Sequence, residues 1–267
     1  MNPRAMCIEC LSRQPSALLE AALWLAAEHD STLQPALVLE QFGELQRQID
    51  AALPSLPPQE LAQPLLRQLS HQGFRQDDSP LLTPRVALLH RVLQWRCGQP
   101  LSLAIIALEL ARRLGIALQG INFPGYFLLR VPGADHLLDP CSGRRLYPQD
   151  QRELLLRTQG TNAKLQAGYL QVASDQNMLQ RLSRNLRELH TQADDYLAAL
   201  KDAERVLQLG EPSAPDHLAR AHLLEQLECP QAARFDLQRA MLLTEDESLR
   251  YQLAQRLREL QKSPALH

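Results

Sequence analysis

Five cysteines and eight histidines are the side chains of this 267-residue chain best suited to act as nucleophile, base or metal ligand. Cys7-Ile8-Glu9-Cys10 has the spacing of half a zinc site or of a redox pair. No second pair completes a zinc site, and no strand precedes the motif as a thioredoxin-like centre requires. The expectation is two semi-exposed thiols on a mobile terminus. Cys97, Cys141 and Cys229 are scattered, and an odd count without a dense framework suits free thiols in a reducing compartment. His71, His90, His190, His217 and His222 show no ligand spacing, and the last two, five apart on a helix, do not share a face. Neither a metal nor a cofactor is expected. Arg112-Arg113 and Arg144-Arg145 read as solvated charges.

The composition narrows the classes of function. Hydrophobic residues at 45% and charged residues at 22% are those of a globular chain, long enough for one large domain or two modest ones. A formal net charge of -2, with both signs spread along the chain, gives no basic footprint for nucleic acid or an anionic membrane. Aromatics at 4% are too sparse for base-stacking platforms. No apolar window reaches the length of a membrane span. The apolar run Ala17 to Ala27 carries Glu20 and is flanked by Glu28-His29-Asp30, which reads as a core helix rather than a signal peptide. A cytoplasmic protein is expected.

These residues must be positioned by mainly helical elements. Leu18, Leu19, Ala22, Leu25 and Ala26 keep helical spacing, as do Leu37, Phe42, Leu45 and Ile49. Pro54, Pro57 and Pro58 break the pattern; Leu61 to Leu69 resumes it, and Gly73 to Pro84 reads as a loop. Leu88, Leu89, Val92, Leu93 and Trp95 form another stripe, with Trp24 and Trp95 as expected core anchors. Gly98-Gln99-Pro100 opens a helix whose buried face is Leu103, Ile106, Ala107, Leu110 and Leu114, ended by Gly115. Three β-prone runs follow, Gly120 to Phe123, Tyr126 to Val131 and His136 to Leu138, separated by Pro124-Gly125 and Pro132-Gly133.

From Ser174 onward only helices are predicted. Successive stripes are Leu179-Leu182-Leu186-Leu189, Leu197-Leu200-Ala203-Leu207, Leu218-Ala221-Leu224-Leu227, Ala233-Leu237-Ala240-Met241 and Leu249-Leu253-Leu257-Leu260. Pro230 sits just inside one helix start, and Thr244 with Glu247 predicts a capping box for the last. Ala232 and Ala233 are placed for close helix approach. The helix pairs suggest a short tetratricopeptide-like array, which binds proteins, or a bundle that buttresses the core.

Gly98-Gln99-Pro100-Leu101-Ser102-Leu103, Ala111-Arg112-Arg113-Leu114-Gly115, Phe123-Pro124-Gly125-Tyr126-Phe127-Leu128-Leu129-Arg130 and Asp139-Pro140 together resemble the soluble, transglutaminase-like branch of the bacterial SirB proteins. Met178-Leu179-Gln180-Arg181 through Asn185-Leu186, and Ala233 to Leu237, are similar to that family's tetratricopeptide-like tail. The resemblance covers about Leu18 to Leu260. It implies an α+β fold: a helix-rich, transglutaminase-like (papain-like) core with a small antiparallel sheet, followed by an all-α tail. The expected domains are residues 1–165, including the N-terminal helices, and 174–262.

Transglutaminase-like enzymes place a cysteine at the start of the core helix and a histidine and an aspartate on the following strands. The helix N-terminus stabilises a thiolate, the histidine shuttles its proton, and the acid orients the imidazole. By the resemblance, the corresponding positions here are Ser102, Tyr126 and Asp139, so only the acid is retained. Ser102 is a poor nucleophile without a base, and a phenol titrates too high to be a good one. Cys97, just ahead of the helix, and Cys141, just after Asp139, can lie near the old site; His136 is expected to be solvated beside its turn. The favoured function is a non-catalytic adaptor or regulator that meets a protein partner through the helical tail and the former active-site cleft. The alternative is an acyl-transfer enzyme, hydrolase or transglutaminase-like, using Ser102 or Cys97 with Asp139. A structural subunit of a larger assembly is a third reading.

Overall fold

Prolines and glycines set many of the helix boundaries in the computed structural model, which describes residues 2–262. The chain divides into two compact units between Leu182 and Ser183. The first begins with α1 (Pro3–Ser12), capped by the Asn2 side chain, which accepts from Arg4 N at 3.0 Å. Cys7 and Cys10 are fully buried on α1, which packs on α2 (Leu18–Ala27). They are therefore not semi-exposed thiols: i, i+3 spacing puts both on the face that meets α2. Leu18, Leu19, Leu23 and Leu25 are all buried on α2, while Glu20 and Trp24, four apart, form its one partly exposed stripe.

The next helices are α3 (Pro35–Ala52) and α4 (Ala62–His71). Phe42, Leu45 and Ile49 face inward on α3, but Leu37 is half-exposed in the first turn. The segment read as a loop contains β1 (Arg75–Gln76), which pairs in parallel with β2 (Cys97–Gly98), beyond α5 (Leu89–Trp95). Two-residue strands have no period for the sequence to reveal. Trp95, an expected core anchor, is 64% exposed. It ends a seven-residue helix and sits roughly 120° round from Leu89, away from the buried Leu89–Val92 side.

The central element is α6 (Pro100–Arg113), with Leu101, Leu103, Ile105, Ile106 and Leu110 all buried. It ends in a Schellman arrangement: Ile116 N donates to Ala111 O at 2.8 Å and Gly115 N to Arg112 O at 3.4 Å, with Gly115 at φ 69°. An antiparallel meander follows, β3 (Gln119–Ile121), β4 (Leu128–Arg130), β5 (Leu137–Leu138) and β6 (Arg145–Leu146), in that order across the sheet. The three expected strands are present but shorter, and β6 is an addition. Registers pair Gly120 with Leu129 and Leu129 with Leu138. Ile121, Phe123, Leu128, Leu137 and Leu146 form an apolar layer that includes Leu155 of α7 (Pro148–Gln159).

The helix α8 (Asp175–Gln192) spans the division between the units. The second unit continues with α9 (Tyr196–Leu209), α10 (Ala214–Gln226), α11 (Pro230–Leu243) and α12 (Glu247–Lys262), and from α9 to α12 each helix packs on the next. Seven positions of α9 are buried, among them Ala199, Asp202, Ala203 and Val206; of the expected stripe only Ala203 is buried, and Leu197 is 66% exposed. Thirty-four residues further on stand Ala233, Asp236, Leu237 and Ala240, all buried. Alanine at the contact lets backbones approach closely, so smaller residues rather than the longest ones define this face. Ala232, by contrast, is exposed.

Both repeated aspartates are buried and ion-paired. Asp202 meets His190 Nδ1 at 2.7 Å and Arg205 Nη1 at 2.7 Å. Asp236 meets His217 Nδ1 at 2.7 Å and Arg220 Nε at 2.8 Å. The cap of α12 is Asp246, whose Oδ1 accepts from Ser248 N at 2.9 Å and Leu249 N at 3.3 Å. Thr244 instead accepts from Asp246 N, so the predicted Thr244–Glu247 capping box does not form. No helix among the described residues is long and apolar enough to cross a membrane.

Candidate functional site

Pro100 occupies the first position of α6, where its missing N–H costs nothing, and Gln99 is the N-cap. This places Ser102 in the first turn, completely buried, with no hydrogen-bond partner for its Oγ among the described residues. A nucleophile must be reached by substrate and by a base; Ser102 is shielded from the first and lacks the second.

Tyr126 closes the Pro124-Gly125 turn, in which its N donates to Phe123 O at 3.2 Å. Gly125 adopts φ 70°, and the turn is clipped to α7 by Thr158 Oγ1, which donates to Pro124 O at 3.0 Å. The phenol reaches Asp139 Oδ1 at 3.2 Å and Gln76 Oε1 at 3.0 Å, with Cys141 Sγ at 3.6 Å. Asp139 is held in its own tight turn, with its N donating to Arg144 O and its O accepting from Gly143 N. Cys141 N donates to its Oδ1 at 3.1 Å and Ser142 Oγ to its Oδ2 at 2.6 Å. Both carboxylate oxygens are thus engaged by fixed donors.

The electrostatics of this cluster favour neutral partners around one carboxylate. Burial pushes the Tyr126 phenol up from its ordinary value, and Cys141 and Asp139 push it further. Burial likewise raises the Cys141 thiol, with Asp139 adding to the effect. Neither group is a thiolate or phenolate near neutrality, and among the described residues no imidazole hydrogen-bonds to the cluster. His136 is engaged elsewhere, Nδ1 to Asp135 Oδ1 at 2.9 Å, with its ring tilted against Tyr147 at 5.6 Å; it is half-buried rather than solvated.

Cys97 belongs to different surroundings. In the parallel β1–β2 pair, Arg75 stands beside Cys97 and Gln76 beside Gly98. Successive side chains alternate across a strand, so Gln76 turns toward Tyr126 while Arg75 and Cys97 turn the other way. There Cys97 lines a cavity of about 370 Å³ with Asp77, Arg85 and Trp95. Burial, then the Asp77 carboxylate, raises its thiol. Gly98 is packed tightly, since a Cβ there would lie 2.8 Å from Val92 Cγ1.

The fold therefore brings together Tyr126, Asp139 and Cys141, and adds Gln76, which sequence reasoning missed. A lone glutamine in a proline- and aspartate-rich stretch carries no signal of a partner 50 residues away.

Residues 36–184, the α+β core with its central helix and small antiparallel meander, match the Transglutaminase-like superfamily, which makes this a transglutaminase-like protein. A UPF0162 protein of Pseudomonas aeruginosa is 59% identical over 270 residues, covering 100% of both chains. A UPF0162 protein of Xylella fastidiosa is 32% identical over 239 residues, 85% of this chain and 83% of its own. Human F-box only protein 21 is 41% identical over 66 residues, 25% of this chain and 10% of its own. The chain belongs to the UPF0162 family. No solved structure matches it at a significant level.

Proposed function

We propose that this protein is a non-catalytic, cytoplasmic protein-binding adaptor or regulator, built on the SirB-like plan of a degenerate transglutaminase-like core and a tetratricopeptide-like tail. The observation that carries the reading is the closed state of the cluster. The Asp139 carboxylate, which would orient a catalytic base, already accepts from Cys141 N and Ser142 and faces the Tyr126 hydroxyl, itself shared with Gln76. The hydroxyl at the start of α6, Ser102, is sealed from solvent. A triad needs a reachable nucleophile, a base in hydrogen-bond contact and a free acid. The 34-residue spacing of buried positions on α9 and α11 supports the tetratricopeptide-like reading of the tail, a scaffold that generally binds other proteins.

The test combines capture with chemistry. The full chain should retain one stoichiometric partner from a native lysate, and a chain ending at Leu182 should lose it. Ser102→Ala and Asp139→Asn should leave that partner bound. Incubation with an activated acyl ester, read by peptide mass spectrometry, should give no Asp139-dependent adduct. An acyl adduct on Ser102 or Cys97 that disappears in Asp139→Asn would make the protein an acyl-transfer enzyme instead.

A further inference from the structure

The helix α11 carries an exposed apolar seam that its repeat counterpart lacks. Phe235 and Leu242, seven residues apart and therefore on one line of the helix, are 53% and 70% exposed. Arg239 lies on the same face, with its guanidinium carbon 5.6 Å from the Phe235 ring centroid. The opposite face buries Ala233, Leu237 and Ala240 in the core of this unit.

The preceding repeat supplies an internal comparison. Thirty-four residues earlier, Lys201 and Gln208 stand on α9 where Phe235 and Leu242 stand on α11, and both are exposed. A position solvated by polar side chains in one repeat is occupied by two large apolar ones in the next. Singly scattered surface apolar residues are ordinary; a paired seam beside an arginine is the pattern of an anchor site.

Charge selects the occupant. The exposed face of α11 holds Arg239, with Arg234 at its margin, while the helix's single carboxylate, Asp236, is buried and committed to His217 and Arg220. A second copy docking face to face would oppose arginine with arginine. We infer that α11 is a docking surface for an acidic amphipathic helix of another protein. The apolar side of that helix covers Phe235 and Leu242, and its carboxylates pair with Arg239. The inference rests on the protein-binding reading above and names the chemistry of the partner.

The test uses the full chain and two synthetic amphipathic helices of about five turns. They share one leucine pattern at i, i+3, i+4 and i+7; one carries glutamate and the other lysine at the remaining charged positions. Calorimetric titration should show the glutamate helix binding at least about tenfold tighter, with affinity falling as salt rises. Phe235→Ser combined with Leu242→Ser should weaken it about tenfold or more, and Arg239→Glu should reverse the preference toward the lysine helix. Unchanged circular dichroism and melting keep these surface variants interpretable. Equal affinity for the two helices, or indifference to the substitutions, overturns the inference. So does a concentration-dependent dimer that Phe235→Ser with Leu242→Ser dissolves, which would assign the face to a second copy. Binding gained only when the chain is ended at Lys262 would assign it to the chain's own last residues and overturn it equally. A lysate partner that depends on the tail yet survives all three substitutions refutes this surface alone. The absence of any tail-dependent partner refutes the underlying reading.

Discussion

Removing the Asp236 carboxylate tests what holds the tail together. Asp236 is fully buried and accepts His217 Nδ1 at 2.7 Å, Arg220 Nε at 2.8 Å and Arg220 Nη2 at 2.9 Å. Bonds to charged groups contribute roughly 1.5–3 kcal/mol each, but the shared carboxylate and its desolvation prevent their simple addition. Truncating one partner of a buried pair typically costs about 3–5 kcal/mol, because the remaining charge is stranded. Arg220 keeps 22% of its side-chain surface and can rehydrate, whereas His217 keeps only 7%. Asp236→Ala should therefore fall at the lower end, about 3 kcal/mol. For a unit of this size that corresponds to a melting temperature lowered by roughly 12–24 °C.

Amide exchange in α10 and α11 reads the tail directly, with urea denaturation alongside. Asp236→Asn, which keeps the shape and loses the charge, should lie between wild type and Asp236→Ala. A cost below about 1 kcal/mol for Asp236→Ala, or unaltered exchange in α10 and α11, would mean that the ion pair offsets only its own desolvation and that alanine packing alone holds the repeat.

Three further outcomes are expected. Gly125→Ala puts a side chain at φ 70° with its Cβ 2.4 Å from Thr158 Cβ, and should cost about 2–4 kcal/mol in urea unfolding while loosening the Tyr126–Asp139 cluster. Burial alone would raise the Asp216 carboxyl, but the paired Arg184 guanidinium and Ser213 reverse this and hold it well below the usual carboxylate range. Its contribution is therefore present above the unfolded-state value of about 3.9 and is lost as the pH falls through the folded value. The tail should weaken progressively below about pH 4, and Asp216→Asn should flatten that dependence while lowering stability at neutral pH, as read by urea midpoints. With a thiol reagent at neutral pH, exposed Cys229 should react first. Buried Cys10, its thiol pushed up to about 12 by burial and then Glu20, should react only on unfolding.

The sequence by itself determined the local plan. Proline at helix starts and glycine at the end of α6 punctuate the chain, and helical periodicity locates most helices, because these signals act within a few residues. The absence of cysteine and histidine from the helix start and first strand turn was legible for the same reason. Tertiary structure alone decided the rest. The pairing of β1 with β2 brings Gln76 to Tyr126 and turns Cys97 away from it, a separation set by strand alternation in segments too short to show a period. The buried Asp202 and Asp236, Trp95 at the surface and the bare seam of α11 all break the rule that apolar residues go in and polar ones out. Each depends on which partner a helix meets, a contact between residues remote in sequence that no local pattern encodes.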